Sequence, residues 1–153
     1  GGSEAGPRAL GHRSILADVR PPENWRRVNK VKGREPWRPF APIVLAEKAN
    51  DWFDGCPTPS PYMLFTAQVK GDRLPAITHV DGSSRIQTVD ESCGGIRRIL
   101  GAFDRATDVP VLMNTSFNGP GEPIVETPSQ AIDFILASDI DVVYIESRRV
   151  TRA

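Results

Sequence analysis

Residues 109–145 have the sequence VPVLMNTSFNGPGEPIVETPSQAIDFILASDIDVVYI, which carries the clearest structural pattern in the chain. Val109–Met113 is apolar and predicts a buried strand, and the polar run Asn114–Asn118 follows it as a loop. A helix is predicted next, and Asp141–Ile145 predicts a second buried strand. Strand, helix and strand in this order predict a βαβ unit of an α/β fold. In open sheets of this kind ligands bind beyond the carboxyl ends of strands, where the loop 114–118 is expected to lie.

Working outward from this stretch, turn residues, caps and apolar spacing predict the other elements. The predicted helices cover residues 21–30, 46–53, 93–106 and 127–138. The predicted strands cover residues 39–45, 62–69, 76–80, 85–89, 109–113 and 141–145. Asp81 and Gly82 separate two of these strands and predict a β-hairpin. Residues 1–20 are expected to form a turn between Gly6 and Gly11, with Ser14–Ala17 as an apolar anchor.

Composition limits the class of protein. The chain has 153 residues with 39% hydrophobic and 25% charged residues, typical of one soluble globular domain. The formal net charge of zero argues against a nucleic-acid binder held by bulk electrostatics. Cys56 and Cys93 are far apart and have no zinc-binding spacing, so a reduced, cytoplasmic protein without a metal site is expected. No apolar run is long enough to span a membrane.

A basic strip runs through Asn29–Pro42, NKVKGREPWRPFAP. If it is extended from Lys30 to Arg34, Lys30, Lys32 and Arg34 share one face, and Arg38 follows beyond a turn. Clustered cations repel one another unless an anion lies between them. The strip is therefore either a solvated basic surface or a cradle for phosphate groups.

Two further groups of polar residues fit a phosphate site. Arg85 lies beside the predicted hairpin turn, and the loop 114–118 offers Asn114, Ser116 and Asn118 as donors. Ser116 and Asn118 are two residues apart, so in an extended loop both can face one ligand. The alternative is that their side chains bond within the loop, as Asx and Ser/Thr turns. The two histidines are less informative. His79 is expected in a strand as a packed residue, whereas for His12 a structural and a functional role are equally open.

Five ordered motifs resemble the carboxy-terminal domain of the O-carbamoyltransferases, the nodulation-protein and antibiotic-tailoring family that carbamoylates hydroxyl groups of sugars, aminoglycosides and cephems. The motifs are GPRALGHRSILAD, NKVKGRE-WRPFAP, SPYMLF, ITHVDGSSRIQTV and VLMNTSFNGPGEPIVETPSQAIDFI. The resemblance covers residues 4–146. It implies that residues 1–153 form a single YrdC-like domain of a longer chain, with a twisted, mainly mixed β-sheet and packed helices.

The resemblance also implies a function. The domain is expected to bind ATP, with Mg²⁺ on the nucleotide, and carbamoyl phosphate, and to form carbamoyl adenylate. A separate amino-terminal ASKHA-like domain that binds a metal would pass the carbamoyl group to the acceptor. No nucleic-acid or membrane partner is expected, and a homodimer is possible. The alternatives are a non-catalytic nucleotide- or RNA-binding module and a structural docking domain.

Individual site residues follow from the same motifs. Lys32 and Arg38 match the family's cations that hold phosphates and the carbamoyl group, and are expected to be catalytic. The expected binding residues, all cations or amide and hydroxyl donors, are Arg8, Lys30, Arg34, Arg85, Asn114, Ser116 and Asn118. Arg8 is similar to a family arginine near the join of the two domains.

Overall fold

The computed structural model describes residue 4 and residues 8–152. Eight strands are present in this part of the chain: β1 Ser14–Asp18, β2 Ala41–Leu45, β3 Phe53–Asp54, β4 Phe65–Val69, β5 Ser83–Val89, β6 Val111–Ser116, β7 Val143–Ile145 and β8 Arg148–Val150. Six form one sheet in the order β1-β6-β2-β5-β4-β3, and β7 and β8 form a separate antiparallel ribbon. Within the large sheet β2 and β5 are parallel, and the other neighbouring strands are antiparallel. A mixed sheet with four helices confirms the predicted fold class.

The helices are α1 Glu23–Val31, α2 Ala49–Trp52, α3 Gly95–Thr107 and α4 Pro128–Ala137. Each lies within or close to its predicted range. The cap predicted for α4 is confirmed, because Thr127 Oγ1 accepts from the backbone N–H of Gln130 while Gln130 Oε1 accepts from that of Thr127. No helix in the described residues is long and apolar enough to cross a membrane.

Apolar side chains cover both faces of the large sheet. Phe40, Val44 and Ile86 belong to the larger buried cluster, into which α1 and α4 also pack. Ala41 and Ile43 belong to a second cluster, which includes residues of α3. Successive residues of β2 therefore alternate between the two clusters, as the pleat requires, and all five are buried. The central strands are fixed in position by packing on both sides.

The predicted βαβ unit is wrong. Both edges of β6 are taken, by β1 on one side and by β2 on the other, and both pairs are antiparallel. The strand that follows α4 therefore cannot join β6, and β7 pairs with β8 instead. β6 also runs further than predicted, since Asn114, Thr115 and Ser116 are strand residues rather than loop. The polar residues nevertheless lie at the carboxyl end of a strand.

The predicted hairpin is wrong in its first strand. Residues 76–80 are turns and irregular backbone, and β5 pairs instead with β4, where Phe65 lies opposite Ile86. The turn at Asp81 and Gly82 is present: Asp81 Oδ1 accepts from the backbone N–H of Ser83 at 3.0 Å, and Gly82 has φ +78°. His79 consequently belongs to this turn rather than to a strand.

Two other boundaries differ from prediction. Residues 62–64 are outside β4, and Tyr62 and Leu64 are 61% and 66% exposed. Ser14–Asp18 is an edge strand rather than an anchor beside a turn, because it pairs along its whole length with β6. Gly6, the other end of the predicted turn, lies outside the described residues.

Candidate functional site

A cavity of about 230 Å³ opens at the edge of the sheet where β6 ends and β2 begins. Four arginines line it together with residues of β2, β6 and the segments before them. The lining residues are Arg8, Ala9, Arg34, Arg38, Pro39, Phe40, Ala41, Met63, Arg85, Asn114, Thr115 and Ser116. Arginines from three segments that are far apart in sequence thus converge on one small space.

Arg34 is held firmly by its surroundings. Its Nε donates to Asn29 Oδ1 at 2.6 Å and a terminal nitrogen donates to the carbonyl of Pro39 at 3.2 Å. The guanidinium carbon lies 4.1 Å from the centre of the Phe40 ring, within the range of a cation–π contact. Asn29 is only 1% exposed, so the residue that orients Arg34 is itself fixed in the fold. Arg34 therefore presents a pre-positioned positive charge to the cavity.

Arg38 lies on a well-anchored backbone but has a more open side chain. Its carbonyl accepts from Trp25 Nε1 at 2.8 Å and from Asn29 Nδ2 at 3.1 Å. The side chain is 51% exposed and lies 3.6 Å from Glu35, an ion pair that contributes little at a surface. The Arg38 guanidinium can therefore exchange this partner for an anionic ligand at small cost.

Arg8 and Arg85 approach from other segments. Arg8 donates to the carbonyls of Met63 at 2.7 Å and Tyr62 at 3.4 Å. Arg85 is half-buried on β5, and its Nε is buried without a hydrogen-bond partner among the described residues. A buried donor without an acceptor costs about 1–3 kcal/mol, so this atom favours a ligand that can accept.

The electrostatics of the cavity favour an anion. Burial, reinforced by the charges of Arg38 and Arg85, lowers the pKa of Arg34 to about 10. Burial and the charge of Arg8 likewise lower the pKa of Arg85. The lowered pKa values mean that these cations are partly desolvated and repel one another. A bound phosphate group would offset that repulsion, and planar guanidinium groups match its oxygens well.

An amide pair connects the floor of the cavity to the segment that carries Arg8. Asn114 Nδ2 donates to the carbonyl of Ala9 at 3.1 Å and to Gln87 Oε1 at 3.0 Å. Gln87 Nε2 in turn donates to the carbonyl of Leu10 at 2.8 Å. Asn114 and Gln87 are 2% and 3% exposed. The segment around Arg8 is therefore tied to β5 and β6 through buried hydrogen bonds.

Lys32 is beside the cavity but not in its lining. Its ammonium donates to the carbonyls of Ser116 at 2.6 Å and Asn118 at 2.7 Å, and also contacts Ser116 Oγ and Asn118 Oδ1. Lys32 is 6% exposed. Burial, with the charges of Arg34 and Arg38, lowers its pKa to about 8. The structure thus shows Lys32 joining the end of α1 to the end of β6.

The basic strip does not run extended, so the condition under which Lys30, Lys32 and Arg34 would share a face is not met. Helix α1 continues to Val31, and the chain reverses after it at Gly33, where φ is +55°. Lys30 projects to the surface, 77% exposed, and pairs with Asp139 at 2.7 Å. The structure therefore places Lys30 away from the arginine cavity.

Ser116 and Asn118 are bonded to each other. Ser116 Oγ donates to Asn118 Oδ1 at 2.6 Å, and Asn118 Nδ2 donates to the carbonyl of Glu122 at 2.6 Å. Ser116 lines the cavity, whereas Asn118 is not in the lining. Of the two readings left open by the sequence, self-bonding within the loop is the one that this structure shows.

Three residues of the site were not predicted from the sequence. Asn29 orients Arg34, Phe40 lies under its guanidinium, and Gln87 links Asn114 to the segment around Arg8. Gln87 could have been found, because the strand alternation places it on the same face as Arg85. Asn29 could not, since its role depends on the chain reversal at Gly33.

Neither histidine lines the cavity. His12 is exposed and borders a larger groove beside β1. His79 Nδ1 is 3.3 Å from Ser83 Oγ, and burial lowers the pKa of His79. In residue 4 and residues 8–152, no three His, Cys, Asp or Glu side chains are grouped as metal ligands. Gly6 and Pro7 of the motif containing Arg8 lie outside the described residues.

Comparison with known proteins then decides the family. A family model described as "Carbamoyltransferase C-terminus" matches residues 1–152. The chain belongs to the carbamoyltransferase C-terminal family. It is 50% identical over 149 residues to Nodulation protein NolO of Bradyrhizobium diazoefficiens. The aligned region covers 92% of this chain and 27% of that protein. It is also 43% identical over 138 residues to Nodulation protein U of Sinorhizobium fredii, covering 88% of this chain and 25% of that protein.

An archaeal relative is also found. The chain is 39% identical over 157 residues to an uncharacterized protein of Methanocaldococcus jannaschii, covering 99% of this chain and 26% of the relative. The chain therefore spans about a quarter of the length of these curated relatives. The predicted family is confirmed.

Proposed function

We propose that this domain forms carbamoyl adenylate from ATP and carbamoyl phosphate. Carbamoyl phosphate and one water give carbamate and inorganic phosphate. A carbamate oxygen then attacks the α-phosphorus of ATP, the bond from that phosphorus to its bridging oxygen breaks, and pyrophosphate leaves. ATP would carry Mg²⁺ into the site as part of the substrate. The observation that carries the proposal is the convergence of four arginines on one cavity in a carbamoyltransferase domain.

The arginines suit this reaction because negative charge moves from the attacking carbamate to pyrophosphate. Reactions of this kind depend on positioning and electrostatic stabilisation more than on a protein base. Arg34 is fixed by Asn29 and Phe40 and would supply pre-positioned charge. Arg38, with its half-exposed side chain, would close on phosphate oxygens. One well-placed donor to developing charge contributes about 3–4 kcal/mol.

Ser116 and Lys32 would have different roles in this reaction. Ser116 lines the cavity and is able to touch a ligand. Lys32 would position Ser116 and Asn118, because its ammonium group donates to their backbone carbonyls. A direct contact between Lys32 and substrate, which the family motif suggests, stays a prediction, as does a ligand contact of Asn118. For Lys30, the 77% exposure of its side chain and its ion pair with Asp139 favour a surface position over the ligand contact predicted from the motif.

The test is pyrophosphate release from ATP by this chain, with and without carbamoyl phosphate. We expect release that requires carbamoyl phosphate and falls at least about 100-fold in Arg38→Ala, the cost of losing one such donor. Lys30→Ala is the matched control, because Lys30 is a cation of the same strip that lies outside the cavity. ATP binding without pyrophosphate release would indicate a nucleotide-binding module instead, and absence of ATP binding a docking domain.

Other features of the whole protein also stay proposals. The relatives are about four times longer than this chain, which leaves room for the proposed metal-binding amino-terminal domain that transfers the carbamoyl group. The YrdC-like relationship, the homodimer and the cytoplasmic location remain predictions from the sequence.

A further inference from the structure

Two buried polar atoms at the cavity lack a partner within residues 4 and 8–152. They are Arg85 Nε, a donor, and Asn114 Oδ1, an acceptor. Both residues line the cavity, which suggests a ligand group that accepts on one side and donates on the other. Leaving either atom unsatisfied costs about 1–3 kcal/mol.

The orientation of the Asn114 amide follows from its neighbours. The carbonyls of Ala9 and Leu10 can only accept hydrogen bonds. Gln87 must therefore direct Nε2 to Leu10, which leaves its Oε1 facing Asn114. Asn114 must in turn direct Nδ2 toward both Ala9 and Gln87. Turning the Asn114 amide around would place its oxygen against two acceptors, so the unpartnered atom is the oxygen.

The strand register places Arg85 and Asn114 on one face of the sheet, on either side of Ala41. Asn114 lies opposite Ala41 in the antiparallel pair of β2 and β6. Ile43 lies opposite Gln87 in the parallel pair of β2 and β5, so two residues earlier Ala41 is level with Arg85. The three side chains therefore share one face, and the methyl group of Ala41 leaves space between the two polar ones.

We propose that Arg85 and Asn114 recognise the two ends of the carbamoyl group above Ala41. The carbamoyl oxygen accepts from Arg85 Nε, and the carbamoyl NH₂ donates to Asn114 Oδ1. This inference rests on the proposed function and assigns the specificity of the same site. Both protein atoms are shielded from solvent, so the cavity side chains must adjust as the phosphate part of the ligand engages the other arginines.

Asn114 is the specificity-determining residue in this arrangement. The charged side chains of the lining are all arginines, which can only donate. They therefore bind the phosphate and carbonyl of an acyl phosphate whether its acyl group ends in NH₂ or CH₃. An acceptor that requires an N–H rejects the methyl analogue, because the buried oxygen then stays unpaired.

Two stable probes separate these groups: phosphonoacetamide, which ends in NH₂, and acetonylphosphonate, which ends in CH₃. Calorimetry on the 153-residue chain should show phosphonoacetamide binding at least about tenfold more tightly, the equivalent of one buried hydrogen bond. In Asn114→Leu the ratio of the two affinities should fall to about one.

Two variants separate specificity from support of the fold. Gln87→Leu removes the tie to Leu10 and one of the two acceptors of Asn114 Nδ2. The carbonyl of Ala9 still accepts from Nδ2 and keeps Asn114 Oδ1 in place, so the variant should weaken both probes equally and keep their ratio. Arg85→Lys keeps the charge but removes Nε, so it should also weaken both probes by a common factor. If Gln87→Leu abolished the ratio as Asn114→Leu does, Asn114 would be only a positioning residue and the proposal would be overturned.

The wild-type chain alone can refute the proposal, even if Asn114→Leu fails to fold. Equal affinity for the two probes would overturn it while leaving carbamoyl-dependent pyrophosphate release, and hence the proposed function, intact. Clear discrimination without pyrophosphate release would overturn the proposed function and leave the recognition pair standing. Binding of neither probe would overturn this inference.

Discussion

Replacing Lys32 with methionine tests how the end of α1 is joined to the end of β6. Methionine is nearly as long as lysine but has no ammonium group. The change removes donors to the carbonyls of Ser116 and Asn118, at 2.6 and 2.7 Å, from a residue that is 6% exposed. These oxygens then have to find water or stay unpaired.

The magnitude follows from two opposing effects. Each hydrogen bond from a charged donor contributes about 1.5–3 kcal/mol, but the ammonium is itself desolvated, as its pKa of about 8 shows. A net loss of about 2 kcal/mol is expected. For a domain of this size that corresponds to a fall in Tm of about 4–8 °C.

The assay is thermal and urea unfolding of the two proteins, with Lys30→Met as the matched control. Lys30 lies two residues away, is 77% exposed and has only a surface ion pair, so its replacement should change stability by less than about 0.5 kcal/mol. Equal stability of Lys32→Met and the wild type would refute the structural role of the ammonium group. A large loss in both variants would show that α1, rather than this contact, had been damaged.

Three other predictions follow from the same contacts. Lys32 has a pKa of about 8 in the folded protein against an ordinary value of 10.5, so the unfolded chain binds more protons between these two pH values. The free energy of unfolding, measured by urea titration, should therefore rise from pH 8 to 10.5. This rise should vanish in Lys32→Met. Pyrophosphate at 100 times its Kd should raise Tm by about 5–10 °C, and at the same concentration Arg38→Ala should show a smaller rise; no rise in the wild type would count against an anion site. Thr127→Ala removes the cap of α4 and should cost about 1 kcal/mol in urea unfolding, whereas Thr127→Ser should cost much less; equal losses would argue against the cap.

Local signals predicted the helices well. The cap of α4 at Thr127 and the apolar stripe of α3 at Ile96 and Leu100 depend on residues close together in sequence, and both helices are present. The pairing of strands was predicted less well. Whether β7 could join β6 depended on β1, which is nearly 100 residues away and already occupies that edge. The hydrophobic periodicity of one segment carries no information on which other strands compete for the same partner.

The candidate site shows the same division between local and distant information. The residue types were recognised, and Arg8, Arg34, Arg38, Arg85, Asn114 and Ser116 do line one cavity. The directions in which the side chains of the basic strip point were not predicted. Helix α1 extends to Val31, so Lys30 points to the surface while Lys32 is buried. The amide network of Asn114 and Gln87 also could not be predicted, since it joins two strands to a segment about 75 to 105 residues earlier.

The central claim is that this domain joins a carbamoyl group to AMP, and the product itself is the most direct test. The chain should be incubated with ATP and carbamoyl phosphate labelled in its carbonyl carbon, and the nucleotides separated at once. The account predicts a labelled adenylate that forms in equal amount with pyrophosphate and is lost in Arg38→Ala but not in Lys30→Ala. Pyrophosphate or AMP formed without any labelled adenylate would contradict it.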